Sequence, residues 1–229
     1  MSRRISLKKD AELALNEYHK MESYSIQEDL LQQLLKKYPD HSNKSAVETK
    51  VKLLNLFYST GIQATNKMSD NILSIDDIDT RLFNGDKSLI AQIATLDFEG
   101  KERFNYSFAT KYCAYHQPTK FPIYDSIVAM TFISLFTKNL LPKFKYTPRK
   151  SSAKETFTKG EFAEKLKKYD FFVEVYDYFM DLYDLKEYFT YREIDSYIWG
   201  AFKVAGADFQ IEKMAQLDMS KIVEYKIEL

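Results

Sequence analysis

Lys111 and Asp125 are the two side chains whose types and placement suit bond-breaking chemistry. They flank a short loop, Gln117–Tyr124, that holds Pro118 and Pro122. A neutral lysine amine adds to a sugar C1′ or to an aldehyde and forms a Schiff base. Burial and basic neighbours both push a lysine toward that neutral form. A carboxylate beside it stabilises an oxocarbenium ion or handles protons, as in other glycosyl-transfer chemistry. A Lys and an Asp in one pocket are therefore suited to breaking an N-glycosidic bond. Each also has an ordinary structural reading: Asp125 as a helix N-cap, Lys111 as a solvent-facing helix lysine.

The same stretch, Asn105–Val128, holds the single cysteine, Cys113, and one of three histidines, His116. Cys113 is a nucleophile only with a base beside it; otherwise it is a small buried residue. Tyr115, His116 and Tyr124 are placed to line a pocket near Lys111, although a histidine near a helix C-terminus also simply favours that end of the dipole. His19, His41 and His116 have no metal-ligand spacing, so no metal is expected. No Gly-rich phosphate loop appears, so no nucleotide cofactor is expected either, and no cofactor of any kind is implied.

These residues need a helical frame, and the composition supplies one. The chain has 229 residues, enough for one large domain or two small lobes with a real core. With 6 Gly and 5 Pro it has few turn-formers, which argues for long helices over a many-stranded sheet. We expect an all-α, multi-helix globular protein: one domain over 1–229, divisible into lobes 1–100 and 101–229. One cysteine excludes an internal disulfide and fits a reducing compartment. The start carries no apolar signal region and no long apolar run follows. We therefore expect a cytoplasmic protein with no membrane partner. The 17 Phe and 17 Tyr read mostly as a core of large rings.

Helical spacing places Leu7, Ala11, Ala14, Leu15, Tyr18 and His19 on one helix over 7–22. A capping box at Ser25–Glu28 opens a helix to about Tyr38, stopped by Pro39. Ser45, with Glu48, caps the next, which ends at Gly61. Weaker helices follow over Gln63–Leu73 and Ile78–Phe83. Asp86 caps one reaching Leu96, and Asp97–Arg103 reads as a short connection. A helix spans Tyr106–His116; another runs from Asp125 to about Asn139. Residues 142–157 read as a long loop and Thr158–Leu185 as one long aromatic helix. A second capping box, Thr190–Glu193, opens a helix that ends near Gly206. Phe209–Leu229 reads as a short helix with an irregular end.

Charge is uneven although the formal net is zero. From Arg103 to Lys154 nine basic residues face one acid, Asp125; from Glu161 to Asp195 ten acids outnumber five bases. Lys138, Lys143, Lys145, Arg149 and Lys150 interleave with rings, as in single-strand binders. They form a footprint for nucleic-acid phosphates or pair with the protein's own acidic helix.

The pattern Ser107-Phe-Ala-Thr-Lys111-Tyr, then Pro118, then Phe121-Pro-Ile-Tyr-Asp125-Ser-Ile-Val resembles the core of helix-hairpin-helix DNA glycosylases. It is most similar to their 8-oxoguanine-glycosylase-like bacterial branch. The likeness covers roughly 25 residues. It implies a DNA-repair N-glycosylase or AP lyase that flips a base into a pocket. Lys111 would be the nucleophile or a base-positioning amine and Asp125 the electrostatic stabiliser, with DNA as the partner. A non-catalytic relative of the same fold that binds nucleic acid or a protein is the other reading.

Overall fold

Helices start where a side chain can take up the first free amide groups. Asn43 accepts from the Ala46 N–H at 3.0 Å and Asp125 from the Val128 N–H at 3.0 Å. Thr158 with Glu161, and Thr190 with Glu193, form reciprocal boxes. The Asn43 cap moves one helix start from the expected Ser45: the helix is already running at Lys44. The same holds at Glu22, three residues ahead of Ser25.

The computed structural model describes residues 7–18, 22–150, 153 and 156–205. The described chain is all-α apart from two tiny sheets. Its elements are α1 (Lys8–Tyr18), α2 (Glu22–Lys37), α3 (Lys44–Tyr58), α4 (Thr65–Leu73), α5 (Ile78–Asn84), α6 (Ser88–Ala94), β1 (Thr95–Phe98), β2 (Lys101–Phe104) and α7 (Tyr106–His116). They continue with α8 (Ser126–Thr137), β3 (Lys145–Tyr146), β4 (Thr156–Phe157), α9 (Lys159–Leu166), α10 (Tyr169–Leu182) and α11 (Tyr191–Ala205). His19, Lys154, Gly206 and the tail from Phe209 lie outside the described residues. No helix among the described residues is long and apolar enough to cross a membrane.

Contacts divide the chain into a unit of 22–124 and a unit of 1–21 with 125–229, rather than near residue 100. The reason is packing. Helix α7 lies against α6 and α3, so it stays with the segment before it, while α1 packs on α11. In the first of these units α7 is wrapped almost on every side: Phe108 through Tyr115 are all buried. A helix buried all round is a core element, and every functional candidate of this unit is referred to it.

Residues 97–103 are not a plain connection. β1 and β2 pair antiparallel from Thr95↔Phe104 to Phe98↔Lys101. Glu99 and Gly100, at φ 55° and 73°, make the two-residue turn, whose paired positive φ matches the twist of the strands. The Asp97 carboxylate accepts from the Gly100 N–H at 3.0 Å.

In the other unit the expected single helix over Thr158–Leu185 is two, α9 and α10, parted at Lys167 and Lys168. The break turns two separate aromatic faces onto α8. Phe162 of α9 stacks on Phe136 at 4.0 Å and 6°. Phe132 meets Phe172, Tyr176 and Phe179 of α10 at 5.2–6.1 Å. Within the stretch expected to be a plain loop, Lys145–Tyr146 and Thr156–Phe157 pair in parallel as β3–β4.

Candidate functional site

The wrapping of α7 takes Lys111 with it: the residue is 5% exposed, not solvent-facing. Its Nζ donates to Ser107 Oγ, one turn earlier, at 3.0 Å. It also lies 5.9 Å from the ring centroid of Tyr58. The Tyr58 and Tyr115 hydroxyls hydrogen-bond each other. Tyr115 donates to the Glu28 carboxylate at 2.6 Å, so the Tyr58 hydroxyl donates to Tyr115 and lies 3.4 Å from the same carboxylate. A buried polar side chain must be paired or hydrogen-bonded, and α2, α3 and α7 together bring polar atoms to the neighbourhood of Lys111.

Asp125 opens α8, in the other unit, and its carboxylate takes the Val128 N–H. The residue before it, Tyr124, is fastened to α7. Thr110 donates its hydroxyl to the Tyr124 carbonyl at 3.2 Å and accepts the Tyr124 N–H at 3.1 Å. Tyr124 thus sits at the N-terminal end of α7, with its ring 4.3 Å from that of Tyr106. It does not join Tyr115 and His116, which line a cavity at the other end of the helix with Leu35, Pro39, Asp79, Leu82 and Gln117.

The basic segment is partly engaged within its own unit. Lys143 pairs with Glu174 of α10 at 2.7 Å, and Lys150 approaches Glu161 of α9 at 4.0 Å. Lys138, Lys145 and Arg149 are exposed. Cys113 is fully buried and burial pushes its thiol well up, so it is no nucleophile.

Sequence spacing missed the densest polar constellation, which gathers residues from four places along the chain. His41, in the α2–α3 loop, donates its backbone N–H to Asp79 Oδ2 at 3.2 Å and its Nδ1–H to Asp79 Oδ1 at 2.6 Å. That fixes the tautomer: Nε2 is bare and accepts from the Tyr112 hydroxyl at 2.8 Å. The His116 ring stacks on His41 at 5.0 Å. It also hydrogen-bonds the Pro39 backbone. Proline has no N–H, so the imidazole donates to the carbonyl. Its Nε2 has no partner, so Nδ1 is the donor. Lys50 of α3 is 1% exposed and donates to the Asp40 carbonyl at 3.2 Å.

Burial dominates the titration of this cluster. It holds His41 below its ordinary range despite Asp79, and His116 well below, helped by Lys50 and His41. It lowers Lys50 to about 8, against the pull of Asp79 and Asp40, and it raises Tyr112 well above 10. Asp79–His41–Tyr112 has the membership of a carboxylate–imidazole–hydroxyl relay, but its order is reversed. A nucleophilic relay buries the carboxylate and presents the hydroxyl. Here the Asp79 side chain is 49% exposed and Tyr112 is wholly buried. The relay orients a carboxylate at the surface. Among the described residues no three His, Cys, Asp or Glu side chains are arranged to hold a metal.

Residues 10–120 match the model of the HI_0787_N family, an N-terminal domain. The chain is similar to an uncharacterized protein of Haemophilus influenzae strain Rd, with 35% identity over 149 residues. That likeness covers 65% of this chain and 62% of the relative, so it spans less than two thirds of the relative's length. No solved structure matches. The family range takes in α7, Lys111 and the whole His41 cluster, and stops before Asp125.

Proposed function

We propose that the chain is a cytoplasmic DNA glycosylase-like protein in which Lys111 and Asp125 carry the reaction. The Lys111 amine adds to C1′ as the C1′–N bond breaks. The proton shed by the new C1′–ammonium goes to the departing base, and Asp125 offsets the positive charge on the sugar. The observation that supports this reading best is the pair of hydrogen bonds between Thr110 and Tyr124, the chain neighbours of Lys111 and Asp125. They tie the end of the proline loop to the helix that carries a buried amine.

A second reading is a non-catalytic protein of the same fold that binds nucleic acid or a protein partner. The ion pairs of Lys143 and Lys150 with their own unit's acids favour its protein-partner form, because they draw charge from the basic segment. The deciding experiment offers duplex DNA with an abasic site, adds borohydride and looks for a covalent adduct. The first reading expects an adduct with the native protein and none with Lys111→Gln. No adduct with the native protein, or one that persists unchanged in the variant, overturns Lys111 as the nucleophile and leaves the second reading.

A further inference from the structure

The cavity at the C-terminal end of α7 has no part in that reaction. Its volume is about 160 Å³, the scale on which a protein interior holds a single ring such as benzene. Leu35, Pro39 and Leu82 give it apolar walls; Asp79, His116 and Gln117 give it polar ones. The carboxylate of Asp79 is half exposed yet cannot swing away, since His41 holds one N–H on each of its oxygens. Each oxygen keeps further acceptor capacity. His116 Nε2 is an acceptor with no partner, which adds to the demand for a donor.

The charge balance gives the sign of the ligand. Asp79 and Asp40 stand against one ammonium, Lys50, and the two imidazoles are held neutral by their surroundings. The neighbourhood therefore carries excess negative charge at neutral pH. A planar cation with parallel N–H donors matches an oriented carboxylate far better than a point charge does.

We propose that this cavity is a binding site for a guanidinium or amidinium group, with Asp79 as its bidentate acceptor. The apolar walls take the ligand's flat faces. The same chemistry arises from a free small molecule or from an arginine side chain of a partner peptide.

The test follows the His41 Nδ1–H resonance by NMR while methylguanidinium is added at millimolar concentration, with methylammonium in parallel. The expected result is a saturable shift with methylguanidinium and binding roughly tenfold weaker with methylammonium. Asp79→Asn should abolish the shift. That variant also loosens His41, so Gln117→Lys provides a second check. It puts a positive charge on the cavity wall without touching the Asp79–His41 bonds, and should weaken binding at least as much. Equal responses to both cations, binding that survives both substitutions, or no shift at all would overturn the site. Benzamidine binding more tightly than acetyl-arginine methylamide identifies a small-molecule ligand; the reverse order identifies a peptide. Neither result depends on the Lys111 adduct.

Discussion

Acidification should loosen the unit of 22–124 through its two stacked imidazoles, and His116→Asn should remove at least half of that effect. His41 and His116 lie face to face at 5.0 Å with Lys50, Asp79, Asp40 and Tyr112 around them. Both folded pKa values are depressed, chiefly by burial. For a base this means that the unfolded chain takes the proton first. The stability is fully present above the unfolded value, near 6.5, and is lost as pH falls below it. An imidazole that stays neutral in the fold costs at most ~1.4 kcal/mol per pH unit below that point. Two rings set a limit of about 3 kcal/mol per unit, large against a typical stability of roughly 5–15 kcal/mol. Lys50 adds no slope in this window, because its folded value of about 8 leaves it protonated in both states. Asparagine at 116 keeps an amide N–H for the Pro39 carbonyl and drops both the titration and the unpartnered Nε2. Urea unfolding between about pH 7 and about pH 5, above the carboxylate range, gives the slope of stability against pH. Native protein whose stability is flat over that range, or a variant with the native slope, would refute the argument.

Lys50 offers the opposite experiment. Its folded value of about 8, against 10.5 in the unfolded chain, means that protonation at neutral pH favours unfolding by about 3 kcal/mol. Lys50→Met keeps the volume and loses one hydrogen bond, so a net gain of about 2 kcal/mol is expected in the free energy of urea unfolding at pH 7; a loss would show that the Asp40 carbonyl bond matters more. In the other unit, Phe162→Ala removes a fully buried ring stacked on Phe136, and should cost about 3–5 kcal/mol in thermal unfolding. A cost under about 1 kcal/mol would mean that the α8–α9 core collapses around the gap.

What the chain reveals by inspection follows from how local the cause is. The box at Thr190–Glu193 and the cap at Asp125 are readable because donor and acceptor lie within three residues. Asn43 in place of Ser45 is the same chemistry misread by two positions. The β1–β2 hairpin was hidden because its strands are four residues each and its turn begins with Glu99, a residue type seldom found at positive φ. The break between α9 and α10 carries neither Gly nor Pro. It follows from two ring faces that must both reach α8, a tertiary cause without a local signature.

The same distinction separates the two sites. The proposal for Lys111 and Asp125 rests on a run of residues close together in the chain, yet the burial of Lys111 follows from α3 and α6 closing over α7. The cluster of His41, Lys50, Asp79, Tyr112 and His116 has no spacing at all. Only His116 and Tyr112 share a helix, and what joins the rest is the folding of α2, α3 and α5 around α7. Its members do leave one trace: three strongly polar side chains, His41, Lys50 and Lys111, are buried in a unit whose other large buried residues are mostly apolar or aromatic. Burying each costs free energy unless it is paired or hydrogen-bonded. The fold has placed two such groups against the C-terminal end of α7 and one at its middle. A protein that needed α7 only as a core strut would have met the same packing with leucine at 50 and 111. Replacing Lys111 alone by Leu and measuring stability therefore separates the needs of the fold from those of the proposed reaction: a more stable protein that no longer forms the borohydride adduct would show that Lys111 is kept for chemistry at the expense of the fold, and a less stable one would show that its hydrogen bond to Ser107 serves the fold.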